Sequence, residues 1–172
     1  MKKVLFIPIA FAMSFCKCPH NSVSKTPSTT IESVCPENGK CSIQIFKNKS
    51  LDVKEDEFRS IYYVMNDNPM TSVIVYEYKR KVEEGVQDGQ HREEIVFEIN
   101  NTDKEIHLND FALQNTKMLF GRHCFCRGQT GFYKVSDGKL NLENKDNTIT
   151  LDLDFTITKV PQLYSKVKAT IK

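Results

Sequence analysis

The segment TITLDLDFTIT, residues 148–158, decides the fold class because its apolar and polar side chains alternate strictly along its whole length. Alternation with a period of two is typical of a half-buried β-strand, with one face on a core and the other in water. We therefore expect every second side chain of this segment to lie in the core. The inward residues are Ile149, Leu151, Leu153, Phe155 and Ile157.

The residues upstream of this strand predict an antiparallel sheet. Residues 139–143 (KLNLE) alternate in the same way, and the polar turn at residues 144–147 predicts a hairpin with the strand that follows. Asp137-Gly138 offers the positive-φ chemistry of a tight turn. We therefore expect a further hairpin that joins residues 131–136 to residues 139–143.

Three other regions also have the composition of strands. Residues 71–82 and 92–99 predict a hairpin across a loop that contains Asp-Gly, and residues 41–46 (CSIQIF) add one more strand. The C-terminal segment 166–172 (KVKATIK) directs its apolar residues inward and its lysines outward, which is typical of an edge strand.

Helix is predicted at only two places. Residues 55–65 place apolar side chains at helical spacing, although their aromatic and β-branched content also suits a strand, and we favour helix. Residues 109–115 fit one short helical turn capped by Asn109. The predicted fold is mainly β: an antiparallel β-sandwich or open barrel with one or two short helices.

The first residues have the pattern of an export signal. Lys2 and Lys3 precede the apolar run 4–15, which is too short to span a membrane, and Cys16 follows directly. Over residues 1–18 the chain resembles the signal of bacterial lipoproteins, and this resemblance implies lipid attachment at Cys16. Ordinary cleavage after Ser14 is the alternative.

Composition divides the rest of the chain in two. Residues 16–34 are rich in Ser, Thr and Pro and poor in aliphatic side chains, so we expect a flexible tether after the signal segment 1–15. Residues 35–172 form a single β-rich domain. The formal charge of +2 equals the contribution of Lys2 and Lys3, so the exported body is formally neutral, which argues against nucleic-acid binding.

Four cysteines of the body are disulfide candidates: Cys35, Cys41, Cys124 and Cys126. If residues 117–126 are a strand, the side chains of Cys124 and Cys126 run parallel and do not pair with each other. We therefore predict two bridges that join the first two cysteines to the last two. A local Cys35–Cys41 bridge with two free thiols is the alternative.

A metal site is a second alternative for these cysteines. His123, Cys124 and Cys126 offer three ligands that suit Cu(I) or Zn. A strand, however, places His123 on the face opposite both cysteines. The leading expectation is therefore that the protein holds no metal and no cofactor.

The sequence contains no catalytic motif. A GxSxG elbow, an HExxH pair and a phosphate-binding loop are all missing from it. The only hint of a ligand surface is a set of aromatic residues that also suits a core without tryptophan. The set comprises Tyr62, Tyr63, Tyr76, Tyr78, Phe132, Tyr133 and Tyr164.

The functional hypotheses follow from these patterns. The leading one is a non-enzymatic bacterial envelope protein, exported and lipid-anchored at the membrane or else periplasmic or secreted, which binds a protein or glycan ligand or acts as a structural component. The first alternative is a metal-binding or thiol-redox protein that uses Cys124 and Cys126. The second is an exported hydrolase whose residues are scattered along the chain.

Overall fold

The computed structural model describes residues 28–86 and 88–172, so the signal segment, Cys16 and most of the predicted tether lie outside the described residues. Within the described part the protein is mainly β, as predicted. Two antiparallel five-stranded sheets pack against each other as a sandwich, and one short 3-10 helix spans Asp110–Thr116.

The first sheet contains the alternating segment that the sequence singled out. Its strands, in spatial order, are β1 (Thr29–Ile31), β10 (Lys166–Ile171), β9 (Thr148–Phe155), β8 (Gly138–Lys145) and β5 (Glu105–Asn109). The predicted hairpin of residues 139–143 with 148–158 is β8–β9. The five predicted core residues of that segment are all buried, with exposed fractions of 8% or less.

The second sheet is built on two long strands. Its spatial order is β2 (Gly39–Glu55), β3 (Ile61–Arg80), β4 (His91–Asn100), β6 (Leu119–Cys124) and β7 (Gly131–Lys134). The predicted hairpin of residues 71–82 with 92–99 is β3–β4, and the predicted strand 41–46 lies within β2.

The core fills the space between the two sheets. Alternate residues of each strand meet there, because successive side chains of a strand point to opposite faces. We call the face of the second sheet that points into this core its inner face. The largest fully buried side chains on that face are Tyr76, Tyr78, Phe97, Phe120, Ile74 and Ile95.

The outer face of the second sheet is also covered. The pairing of β2 with β3 is interrupted between Lys47 and Lys49, and beyond this bulge residues 49–55 pair with residues 61–67 as a separate arm. Ile61 in the arm also pairs with Phe132 of β7. The arm buries a second apolar cluster that includes Leu51, Val73, Val96 and Leu119.

The helix predicted at residues 55–65 is wrong. β2 ends at Glu55, a turn follows, and β3 begins at Ile61. One carboxylate oxygen of Asp56 accepts hydrogen bonds from the backbone N–H groups of Phe58 and Ser60, at 2.9 and 2.8 Å. This local turn competes with helix, and the aromatic and β-branched residues after it favour strand.

The hairpin predicted at Asp137-Gly138 is also wrong. β7 pairs with β6 in the second sheet, whereas β8 pairs with β5 and β9 in the first. Gly138 therefore lies where the chain crosses between sheets, with φ of 144°. A Cβ atom at this position would lie 2.2 Å from the backbone oxygen of Asp154, so only glycine fits.

Three smaller expectations are corrected or refined. β10 is not an edge strand, because β1 pairs with its free side. β1 lies inside the range 16–34 predicted as tether, so the folded body begins earlier than composition indicates. The helical turn near residues 109–115 is confirmed as the 3-10 helix, but the Asn109 side chain makes no capping hydrogen bond.

Candidate functional site

The structure pairs each cysteine of the body with its near neighbour. Cys35 is bonded to Cys41 and Cys124 to Cys126, with Cα atoms 5.8 and 5.1 Å apart. The predicted cross-pairing is therefore wrong. The Cys35–Cys41 bridge agrees with the alternative prediction. That alternative left Cys124 and Cys126 as free thiols, whereas the structure bonds them to each other.

The Cys124–Cys126 bridge is possible because the strand ends early. β6 stops at Cys124, the chain bends at Phe125, and Cys126 lies beyond the strand, so the argument from parallel side chains does not apply. Thr130 holds the bend by donating its hydroxyl hydrogen to the backbone oxygen of Cys124 at 2.7 Å. Phe125, between the two cysteines, is 83% exposed.

A histidine from the neighbouring strand approaches both sulfur atoms. β4 pairs with β6 so that His91 lies directly opposite Cys124. A ring nitrogen of His91 and the two Sγ atoms all lie within 4.8 Å of one another. We call this region, where His91 meets Cys124 and Cys126, the cysteine end of the sandwich.

His123, the histidine named in the sequence-based metal alternative, does not join this group. It lies on the outer face, and its Nε2 is 3.1 Å from Oε1 of Glu94. The objection that His123 faces away from the cysteines is therefore confirmed. Strand alternation identifies His91 instead, because His91 lies an even number of positions before the inward residues Ile95 and Phe97 and therefore shares their face.

A buried charge cluster supports His91 from the interior. We call His91, Glu93 and Arg122 the inner cluster; their exposed fractions are 6%, 0% and 7%. Oε1 of Glu93 lies 2.8 Å from Nε2 of His91 and 3.4 Å from Nη1 of Arg122. Because a carboxylate only accepts hydrogen bonds, the imidazole donates from Nε2 in this contact, and in the tautomer with its proton on Nε2 the lone pair lies on Nδ1.

The loop that follows β9 completes the inner cluster. The backbone N–H of Leu163 donates to Oε2 of Glu93 at 2.8 Å, and Nη1 of Arg122 donates to the backbone oxygen of Pro161. Nη2 of the same guanidinium lies 3.8 Å from Sγ of Cys126. A buried carboxylate is costly unless it is paired and hydrogen-bonded, and here both oxygens have partners.

A cavity of about 440 Å³ opens beside the bridge. Its lining includes Cys124, the two histidines His91 and His123, and the exposed Phe125, together with three cationic side chains, Lys79, Arg80 and Arg92. Asp88 is the one acidic side chain among the described lining residues. The cavity therefore offers a predominantly positive surface next to a sulfur atom.

The outer face carries a second cluster of the same residue types. We call Arg92, Glu94 and His123 the outer cluster; Glu94 contacts Arg92 at 3.3 Å as well as His123. Burial, and then the charge of Glu94, raise the pKa of the neighbouring Tyr63 to about 12. Gly121 allows this packing, because a Cβ there would lie 2.6 Å from the ring of Phe132.

A larger opening, of about 880 Å³, lies between the sheets at the far end of β4. We call it the inter-sheet cleft. Four isoleucines line it together with amide, hydroxyl and lysine side chains. The lining includes Ile45, Ile99, Ile149, Ile171, Asn48, Asn101, Asn144, Asn147, Ser28, Ser72, Lys47 and Lys172.

The remaining sequence candidates have structural roles. Of the aromatic set, Tyr76, Tyr78 and Tyr164 are buried in the core, and Tyr62 is the one exposed member. The hydrolase alternative stays a prediction.

No protein family, curated protein or solved structure matches the chain. Among residues 28–86 and 88–172, no helix is long and apolar enough to cross a membrane. The two disulfides indicate a compartment outside the reducing cytoplasm.

Proposed function

We propose that this chain is an exported, lipid-anchored envelope protein that performs thiol–disulfide exchange at Cys124–Cys126. The observation that carries the proposal is the position of this bridge, which lies between a basic cavity and a buried guanidinium. The sequence named this chemistry as an alternative to binding, and three structural features now favour it.

The first feature is that the bridge contributes little to the fold. It joins residues two positions apart, so it connects no distant segments. Closing a three-residue loop removes only about 1.6 kcal/mol of chain entropy from the unfolded state. A bridge with so small a structural effect, next to an exposed bend, is of the kind that exchange chemistry uses.

The second feature distinguishes the two sulfur atoms. Cys124 lines the cavity, so a partner thiolate reaches its Sγ first. Sγ of Cys126 then leaves as a thiolate, 3.8 Å from Nη2 of Arg122, whose positive charge stabilises it. Attack forms a mixed disulfide at Cys124 and breaks the internal S–S bond, and the displaced electron pair stays on Cys126.

The reaction is completed by a second thiol of the partner. That thiol attacks the partner's own sulfur in the mixed disulfide and releases Cys124 as a thiolate. The partner is oxidised to a disulfide, and Cys124 and Cys126 are reduced by two electrons. The third feature, the cationic lining of Lys79, Arg80 and Arg92, favours a dithiol partner with negative charge near its cysteines.

The test is differential alkylation in thiol–disulfide buffers of graded potential. In a chain that carries Cys16→Ser and Cys18→Ser, we expect Cys124–Cys126 to open at a less reducing potential than Cys35–Cys41, which is the internal control. Cys126→Ser should trap a mixed disulfide at Cys124, whereas Cys124→Ser should trap much less. Opening of both bridges together, or equal trapping, would overturn the proposal.

The location is a separate part of the proposal. The apolar run that ends at Cys16 supports export and lipid attachment, and residues 1–18 lie outside the described residues. Metabolic labelling with a radioactive fatty acid should mark the full chain and should not mark a Cys16→Ser variant. A mature protein that begins at Phe15 would instead establish ordinary cleavage after Ser14.

Ligand binding, the leading hypothesis from sequence, has one supporting observation of its own. The inter-sheet cleft has the volume of a small-molecule site, and its lining combines apolar isoleucines with polar and cationic groups. This arrangement favours an amphipathic ligand with an anionic head near Lys47 and Lys172. The aromatic set gives less support to a stacked glycan, because Tyr76, Tyr78 and Tyr164 are buried in the core and Tyr62 alone is exposed.

A pair of fluorescent amphiphiles with equal chains tests the cleft. We expect the carboxylate probe to bind more tightly than its neutral amide. Lys47→Ala should weaken binding of the carboxylate probe about tenfold and leave binding of the amide unchanged. Lys139→Ala, in the exposed part of β8, serves as the matched control. Equal binding of both probes by all three proteins would exclude this function.

A further inference from the structure

We infer that His91, Cys124 and Cys126 form a binding site for monovalent copper when the bridge is reduced. The inference deepens the proposed function, because it needs Cys124 and Cys126 in their dithiol form. It replaces the sequence-based ligand set by exchanging His123 for His91. Four observations support it: the spacing of the ligand atoms, the hydrogen bond that supports the histidine, the positive charge beside the sulfurs, and the number of ligands.

The ligand atoms are already close to the spacing that a metal requires. Metal–sulfur and metal–nitrogen bonds of about 2.3 and 2.0 Å place neighbouring ligand atoms about 3.6–4.0 Å apart. Here the three atoms lie within 4.8 Å of one another. Opening the S–S bond lets the two sulfurs separate, and a small movement of Phe125, which is exposed, accommodates that change.

The hydrogen bond that His91 makes to Glu93 is typical of a histidine that binds a metal. A ligating histidine usually donates its other ring N–H to a carboxylate, which fixes the tautomer and the ring orientation. Glu93 does this for His91, since its Oε1 lies 2.8 Å from Nε2. Nδ1 has no hydrogen bond among the described residues, so we assign it as the nitrogen that binds the ion; one of the two ring nitrogens lies within 4.8 Å of both sulfurs.

The charge beside the sulfurs selects copper over zinc. Two thiolates with Cu(I) carry a net charge of −1, and the Arg122 guanidinium next to Cys126 stabilises it. Two thiolates with Zn²⁺ are neutral and gain less from the same cation. Nε of Arg122 is buried without a hydrogen-bond partner, so Glu93 and Pro161 do not use all the donors of this guanidinium.

The number of ligands supports the same choice. Structural zinc is bound by four protein ligands in almost every case. The described residues bring three metal-ligating atoms together at this site. Thiolate ligands select soft ions such as Cu(I), and a two-sulfur, one-nitrogen set does not require a fourth donor.

Loading the site takes two balanced steps. A dithiol partner, or a phosphine in the laboratory, supplies two electrons; the internal S–S bond breaks and Cys124 and Cys126 become thiols. Cu(I) then displaces one proton from each thiol and forms two Cu–S bonds and one Cu–N bond. Oxidation of the dithiol would release the ion, so the redox state of the bridge controls binding.

The test uses competition between the protein and a chromophoric Cu(I) chelator under anaerobic conditions. The chain carries Cys16→Ser and Cys18→Ser and is reduced with a phosphine, so its outcome does not depend on any exchange partner. We expect one copper per reduced chain and none per oxidised chain. Cys35→Ala with Cys41→Ala should leave that number unchanged, whereas Cys124→Ser with Cys126→Ser should abolish binding.

The two histidines form the decisive matched pair. His91→Ala should weaken copper binding at least tenfold, and His123→Ala, beside Cys124 in sequence but on the other face, should leave it unchanged. X-ray absorption of the copper-loaded wild type should show two sulfurs and one nitrogen, which tests the ligand set without any variant. Equal affinities of the two histidine variants, a sulfur-only spectrum or a preference for zinc would overturn the inference.

The results separate this inference from the proposed function. If the bridge exchanges with thiol partners but the reduced chain fails to bind copper, the copper site alone is wrong. If copper binds as described but Cys126→Ser traps no mixed disulfide, the exchange function alone is wrong.

Discussion

The inner and outer clusters carry the same residue types on opposite faces of the same two strands. His91, Glu93 and Arg122 face the core, whereas Arg92, Glu94 and His123 occupy the alternate positions. Each cluster joins a carboxylate to a histidine and an arginine by hydrogen bonds. The residue types therefore do not determine which cluster has a chemical role.

The surroundings of the two clusters differ. The inner cluster adjoins two sulfur atoms and is closed by backbone groups of the loop after β9. The outer cluster is covered by the aromatic residues Tyr63 and Phe132, and its Arg92 remains 37% exposed. Both clusters reach the cavity beside the bridge, through His91 on one side and through Arg92 and His123 on the other. What distinguishes the inner cluster is the disulfide that it adjoins, so a polar cluster gains chemistry from its neighbours rather than from its own composition.

The largest expected difference concerns the two carboxylates. Glu93→Gln leaves the buried Arg122 without its ionic partner, so we expect the free energy of unfolding to fall by about 3–5 kcal/mol. Glu94→Gln, whose partner Arg92 also contacts Glu77 at 3.2 Å, should cost about 1–3 kcal/mol. Urea unfolding of both variants measures the comparison, and equal losses would contradict it.

The next largest effect concerns Gly121, which gives space to the outer cluster alone. Gly121→Ala brings a Cβ to 2.9 Å from Cγ of Glu94 and 3.0 Å from Nε2 of His123. We expect a loss of about 1–3 kcal/mol in stability from overpacking. The reactivity of Cys124–Cys126 toward thiols should stay unchanged, and a change in it would show that the clusters are coupled.

A smaller effect separates the two disulfides. Cys35–Cys41 closes a seven-residue loop and should contribute about 2.4 kcal/mol, against about 1.6 kcal/mol for Cys124–Cys126. Replacing each pair by alanine and comparing the midpoints of thermal unfolding gives the ranking. The reverse order would mean that the Cys124–Cys126 bridge has a mainly structural role.

The smallest effect is expected at alkaline pH in the outer cluster. Burial first, and Glu94 second, raise the pKa of Tyr63 to about 12 in the folded protein. Since the neutral phenol is favoured on folding, its contribution is complete below the unfolded value of about 10 and is lost as pH rises from 10 to 12. Tyr63→Phe should make this part of the stability profile less steep, while Tyr76 and Tyr164, whose pKa values burial also raises, keep contributing to it; an unchanged profile would refute the assignment.

The class of fold and the buried faces of its strands could be predicted from the amino-acid pattern alone. Alternation in residues 148–158 placed five side chains in the core correctly, because a period of two reports directly on which face is buried. The opposition of His123 to Cys124 followed from the same rule. The alternation rule gave a wrong prediction where a strand ends, because nothing in residues 117–126 indicates that β6 stops at Cys124.

Tertiary structure alone decided the site. The pairing of β4 with β6 brings His91 to the cysteines, and the loop after β9 brings Pro161 and Leu163 to the inner cluster. These contacts join residues far apart in the chain, and no local pattern encodes them. The strand pattern limits which residues face inward, but the packing of the two sheets and their loops decides which of them meet.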